Sequence, residues 1–171
     1  MAGSKYKKNN RSKPKPDVAE QLSLLTPVCE ATIVYRTKLK MRELPKIASS
    51  LDAYNHVRPF YEQQDFENKE YFFVTLINNA NRVMATLKIS EGGITGTVVD
   101  ARIVFMAALI SGATSIILSH NHPSGNLKPS QADIDLTRKV KDAGKLLEIK
   151  LLDHLIVCED GYCSLADENL L

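Results

Sequence analysis

The residues with the clearest chemical potential form the run Ser119-His120-Asn121-His122-Pro123-Ser124-Gly125, followed by Ser130 and Asp133. His120 and His122 are two apart, so on an extended backbone both imidazoles point to the same side. Asp133 comes eleven positions after His122, past a Pro- and Gly-containing loop that can turn the chain back. Two neutral nitrogens and one carboxylate suit Zn²⁺, and three protein ligands rather than four leave a position for water. Such a site serves hydrolysis. A structural zinc site would close with four ligands, usually including thiolates.

The elements around this run must bring the three side chains together. Residues 115–118 are apolar and β-branched, which predicts a central strand that delivers the histidines at its carboxyl end. Open α/β sheets place their ligands at such ends. A long helix is expected after Pro129, with Leu136, Val140, Ala143 and Leu147 as its buried stripe. Residues 149–157 predict the next strand and residues 162–165 a short edge strand.

Upstream, a strand is expected at 31–35, then a helix capped by Ser49 or Ser50 that runs through Ala53, Val57 and Tyr61. Pro59 argues against its last turns. Tyr71–Ile77 predicts a strong strand, with turn residues at 78–81 and a hairpin partner at 83–89. Gly92, Gly93 and Gly96 mark a loop before an extended stretch at 97–99. Asp100 is a natural N-cap for a helix through Val104, Ala107, Ala108 and Ile110 that Gly112 ends. The sum is a mixed sheet with helices on its faces, without repeats.

Composition fits one folded body. With 171 residues, 44% of them hydrophobic, the chain can bury a single core. Its net charge of +2 implies no particular partner, but the distribution is uneven. Lys5, Lys7, Lys8, Arg11, Lys13 and Lys15 all fall in residues 1–16, and every acidic residue lies beyond them. Residues 1–16 therefore read as a disordered basic tail that solubilises the protein or makes weak contact with nucleic acid. The folded domain is assigned to residues 17–171.

Three cysteines, Cys29, Cys158 and Cys163, are too few for a disulfide framework and point to a reducing compartment. The basic start is not followed directly by an apolar stretch, unlike a secretory signal. Residues 103–119 carry no charge, but Ser111-Gly112 divides them into two patterns, a buried helix and a buried strand. A soluble, cytoplasmic protein without membrane contact is expected.

Each piece of the site also has a plain structural explanation. Histidines at a strand end can bond loop backbone, and Ser130 with Asp133 fits a capping box. The joint pattern is more specific than its parts. Here the chain resembles a known family: His120-x-His122, seven residues, Ser130, two residues and Asp133 match the motif of the JAMM (JAB/MPN-domain) metalloproteases. The form His120-Asn-His-Pro-Ser-Gly125, with Leu152-Asp-His-Leu-Ile-Val157 downstream, is similar to the RadC-like branch. JAMM enzymes typically carry Ser or Thr where this chain has Asn121, which matches the RadC-like form instead.

The resemblance implies a three-layer αβα domain with a mixed sheet, cytidine-deaminase-like in fold. It implies zinc held by His120, His122 and Asp133, a glutamate before an early strand as base, and a serine supporting the oxyanion. Glu70 and Ser130 stand at those two positions. By residue type alone, Asp65, Glu67 and Glu91 compete with Glu70, each with a solvated surface charge as its plain reading. Asp153 and His154 should face opposite sides of their strand, with His154 a buried, hydrogen-bonded histidine. The resulting reading is a zinc-dependent metallopeptidase or isopeptidase acting on a protein or peptide. Its alternatives are a DNA-repair-associated DNA-binding or DNA-processing protein and a metal-stabilised interaction module without turnover.

Overall fold

The computed structural model describes residues 40–65, 67–92 and 98–171. The basic tail and the strand expected at 31–35 lie outside these residues. Five strands form one mixed sheet: β1 (Tyr71–Ile77), β2 (Val83–Glu91), β3 (Ser115–Asn121), β4 (Lys150–Cys158) and β5 (Gly161–Ser164). Their spatial order is β2-β1-β3-β4-β5. Among the described residues only the β3–β4 pair is parallel, and it needs a crossover, which is a helix.

Three helices cover the sheet: α1 (Ser50–Glu62), α2 (Ala101–Ser111) and α3 (Gln131–Leu146). Alternation along β1 divides the core in two. Phe72, Val74 and Leu76 pack with Val104, Phe105 and Ala108 of α2 and Val140 of α3. Tyr71, Phe73 and Ile77 pack with Ala53, Val57 and Tyr61 of α1. One helix on one face and two on the other make the expected three-layer αβα domain.

The caps fall where side-chain chemistry puts them. Ser49, not Ser50, caps α1 by accepting the Asp52 N–H, and Asp100 caps α2 by accepting the Arg102 N–H. Gly112, at φ 68°, takes the left-handed conformation that ends α2. Residues 103–119 thus split into α2 and β3, and among the described residues no helix is long and apolar enough to cross a membrane.

Four expectations need correction. α1 continues through Pro59 to Glu62. The ring removes one helical bond, but Pro59 and its would-be partner Asn55 both face solvent, where water satisfies the carbonyl. β2 runs two residues further than expected, to Glu91, because it stays paired with β1 up to Tyr71. Val98 and Val99 are not in a strand, and Thr97 lies outside the described residues.

Leu147, finally, is not part of the buried stripe of α3. It is the C-cap residue and is exposed. Thr137, Val140 and Gly144 are the fully buried positions, and the expected Leu136 and Ala143 pack partly buried against the same core. Gly144 is required by a close approach: an added Cβ would run into the Ile149 carbonyl oxygen of the returning chain. The helix therefore presses on the sheet through a glycine and a threonine that hydropathy alone does not single out.

Candidate metal centre

β3 carries His120 at its carboxyl end, and the backbone stays extended to His122, whose N–H donates to Val157 O at 3.1 Å. Both imidazoles therefore reach the same side, with their Nε2 atoms 2.9 Å apart. The chain then turns: Gly125 N–H donates to His122 O at 3.0 Å, with Gly125 at φ 74°. The loop ends at Ser130, which opens α3 and brings back Asp133. Asp133 Oδ1 lies 3.1 Å from His120 Nε2, and Oδ2 lies 3.6 Å from His122 Nε2. One ligand atom from each residue falls within 4.8 Å of the others.

Asp133 is held by the helix start. Its Oδ2 accepts the Ser130 N–H at 2.7 Å and the Ser130 hydroxyl at 2.6 Å, while Ser130 Oγ accepts the Asp133 N–H at 3.2 Å. This is the expected capping box. It leaves Oδ1 directed at the histidines. Burial opposes ionisation of Asp133, but the neighbouring imidazoles of His120 and His122 and the Ser130 hydroxyl outweigh it and hold the carboxyl far below the usual carboxylate range. The neighbouring Asp133 carboxylate pushes His122 up, against the effect of burial.

The donor set fits a divalent metal. His122 Nδ1 lies 2.6 Å from Asn126 O, and a carbonyl can only accept, so the proton of neutral His122 sits on Nδ1 and Nε2 presents a lone pair. That lone pair, a second imidazole nitrogen and an anionic oxygen converge on one point. A shared cation resolves their mutual repulsion, and two imidazoles with one carboxylate are a zinc-type set with coordination to spare.

Glu70 immediately precedes β1, opposite the end of β3. Its half-buried carboxyl is raised above the usual value, first by burial and also by Asp133, while His120 and His122 pull it down. The competing acids stand elsewhere. Glu91 is paired with Lys69 and Lys88, each at 2.9 Å. Asp65 is exposed and accepts from Asn68 at 2.7 Å, and Glu67 is exposed.

Three further residues shape the site. Asn121 is wholly buried between the two histidines. Its Oδ1 accepts the Tyr71 N–H at 2.7 Å and its Nδ2 donates to Lys69 O at 2.8 Å. These are the two peptide groups flanking Glu70, so one side-chain amide fixes the backbone that presents that carboxylate. On the other side of His120, His154 Nε2 lies 2.9 Å from His120 Nδ1, and His154 Nδ1 lies 2.6 Å from Thr137 Oγ1. Burial drives the His154 imidazole well below its usual value and keeps it neutral. The expected buried, hydrogen-bonded histidine is present, and its partner is a candidate ligand.

The neighbours complete a rigid surround. Phe72 lies opposite His120 in the β1–β3 register, with rings stacked at 5.9 Å. Tyr61 of α1 donates to Ser119 Oγ at 2.9 Å, bracing β3 one residue before His120. Asp153, on the opposite face from His154, accepts from Ser164 and the Ala166 N–H and fastens the C-terminal turn. Beside the ligand loop a groove of about 720 Å³ is lined by Leu127, Pro129, Ile134, Tyr162 and Leu170.

A family model described as RadC-like JAB domain matches residues 47–170. A UPF0758 protein of Flavobacterium johnsoniae is 48% identical over 128 residues, covering 75% of this chain and 55% of the relative. Relatives of the same name in Porphyromonas gingivalis and Geotalea uraniireducens are 38% and 36% identical, over 78% and 77% of this chain and 60% and 57% of their own lengths. The chain thus spans little more than half the length of these curated relatives.

Proposed function

Because the chain belongs to the RadC-like JAB domain family, we propose that it is a zinc-dependent hydrolase of the JAMM kind, cleaving an amide or isopeptide bond in a protein or peptide. The observation that carries this reading is the convergence of His120, His122 and Asp133, whose ligand atoms lie within 4.8 Å of one another, with the half-buried Glu70 entering nearby just before β1. A purely structural zinc site closes with four ligands, whereas three leave a position for water.

In this reading His120, His122 and Asp133 hold the metal. Zinc, when bound, lowers the pKa of a coordinated water to about 7 and polarises the carbonyl under attack. Glu70 takes a proton from the attacking water and returns it to the leaving amine. The burial that raises its pKa favours both halves of that task, since a weakly basic carboxylate would not retain the proton long enough to deliver it. Ser130 donates its hydroxyl to the oxyanion. When the hydroxyl turns away, Asp133 Oδ2 still accepts the Ser130 N–H, so the ligand keeps its orientation. The groove beside the ligand loop, whose apolar lining is rimmed by Lys128, Asp167 and Glu168, offers a polypeptide flanking the scissile bond a place to lie.

Zinc content and cleavage of a library of fluorogenic peptides, measured together, test the reading. His122→Ala should lose the single zinc, because two ligands cannot close the site. Glu70→Gln should keep zinc and lose turnover by roughly two to four orders of magnitude. A Glu70→Gln protein that cleaves as fast as wild type would remove Glu70 from the mechanism.

A further inference from the structure

We propose that Thr137 and His154 are positioning residues that lock the tautomer of His120, and that metal affinity depends on this lock. The inference rests on the metal reading of the site, and it follows from hydrogen bonds whose directions are forced one after another.

The chain starts at a main-chain oxygen. Thr137 Oγ1 lies 2.5 Å from Asp133 O, one helical turn earlier. Two oxygens at that distance repel unless a proton lies between them, and a carbonyl carries none. The Thr137 hydroxyl proton is therefore committed to Asp133 O. Toward His154 Nδ1, at 2.6 Å, Thr137 Oγ1 can then only accept. The proton of neutral His154 must sit on Nδ1, which leaves a lone pair on Nε2. That lone pair faces His120 Nδ1 at 2.9 Å and can only accept, so His120 carries its proton on Nδ1. In the neutral ring Nε2 then carries the lone pair, facing Asp133 Oδ1 and His122 Nε2.

The path closes on itself. The backbone oxygen of the third ligand, Asp133, sets the tautomer of the first ligand, His120, through two side chains that touch no metal. Both are sealed from water, with Thr137 1% and His154 0% exposed, so no solvent molecule can substitute for either. His122 has its own independent device, the Asn126 carbonyl. The two histidines are thus prepared separately, each with Nε2 free. Partners of this kind fix ring orientation and raise ligand basicity, and their loss typically lowers metal affinity about 10- to 100-fold.

Thr137 is the informative place to intervene, because it contacts no ligand side chain. Thr137→Val keeps the side-chain shape and removes the acceptor. His154 can then place its proton on Nε2, which would force His120 to carry its own proton on the metal-facing nitrogen. Thr137→Ser restores the hydroxyl. The full chain should be titrated with zinc against a competing fluorescent chelator, with circular dichroism to check folding of the metal-free variants. Long-range ¹H–¹⁵N spectra of the histidine rings should be recorded on the zinc-loaded wild type.

The expected result is zinc affinity about tenfold or more below wild type for Thr137→Val and within about twofold of it for Thr137→Ser. The spectra should place protons on Nδ1 of both His154 and His120. A folded Thr137→Val protein with wild-type zinc affinity, or a proton on His154 Nε2, would overturn the lock while leaving the metal centre standing. A wild-type protein that binds no zinc would overturn the metal centre itself, and the lock with it.

Discussion

Replacing Asn121 by Ala separates the backbone that presents Glu70 from the metal ligands on either side. The amide of Asn121 satisfies the Tyr71 N–H at 2.7 Å and Lys69 O at 2.8 Å. Tyr71 is buried, so its orphaned N–H should cost about 1–3 kcal/mol. Lys69 is exposed, so water can reach its carbonyl and that loss should add well under ~1 kcal/mol. The side-chain cavity left at a wholly buried position adds a further penalty of similar size. Together these give roughly 2–4 kcal/mol, which in a protein of this size lowers the melting temperature by about 4–16 °C. The effect on catalysis should exceed the effect on metal. Both peptide groups around Glu70 become free, and a displacement near 1 Å of a catalytic group costs on the order of 10²-fold in rate, whereas His120, His122 and Asp133 keep their partners. Thermal melting, zinc content and peptide cleavage should be measured on one preparation. An Asn121→Ala protein as stable as wild type, or one that keeps its cleavage rate but loses its zinc, would refute this reasoning.

Ser130→Ala removes both the cap of α3 and the hydroxyl on Asp133. It should cost ~1 kcal/mol in urea denaturation and lower cleavage on the order of 10²-fold; an unchanged rate would leave the serine as a cap alone. Deleting residues 1–16 should leave melting temperature, zinc content and cleavage unchanged. If those residues contact nucleic acid, DNA binding should fall steeply with salt and vanish on deletion, and equal binding without them would exclude that contact.

The candidate metal ligands were legible in the sequence because they are local. His120 and His122 share a strand, and Ser130 and Asp133 form a capping box whose spacing is fixed by helix geometry. The hydrophobic run of β1 and the caps Asp100 and Gly112 were legible for the same reason. Glu70 was different. Residue type could not separate it from Asp65, Glu67 and Glu91, and the resemblance alone singled it out. What distinguishes it physically is the β1–β3 register, which sets Phe72 opposite His120 and so brings Glu70, two residues earlier, to the cluster. Asn121, Thr137 and His154 were missed as a working group because their roles exist only after α3 crosses over to β4. One clue was available: Thr137 follows Asp133 by one helical turn, the spacing at which a threonine hydroxyl bonds back to the helix. Leu147 misled because periodicity carries no information on where a helix stops, and Gly144, with no side chain, was invisible to it.

The ligands and the base have different histories along the polypeptide. His120, His122 and Asp133 belong to one uninterrupted strand–loop–helix stretch, whereas Glu70 arrives from a distant segment that must pair antiparallel with β3. Local contacts form early in folding and distant strand pairings late. If the cluster binds metal as proposed, a chain still folding could capture it while the carboxylate proposed as base is absent. Zinc bound at that stage favours the β3–α3 unit by mass action and gives the remaining strands a template to join. Under the proposed function, cleavage would become possible only once the sheet is complete, so an immature molecule would hold metal before it could hydrolyse anything.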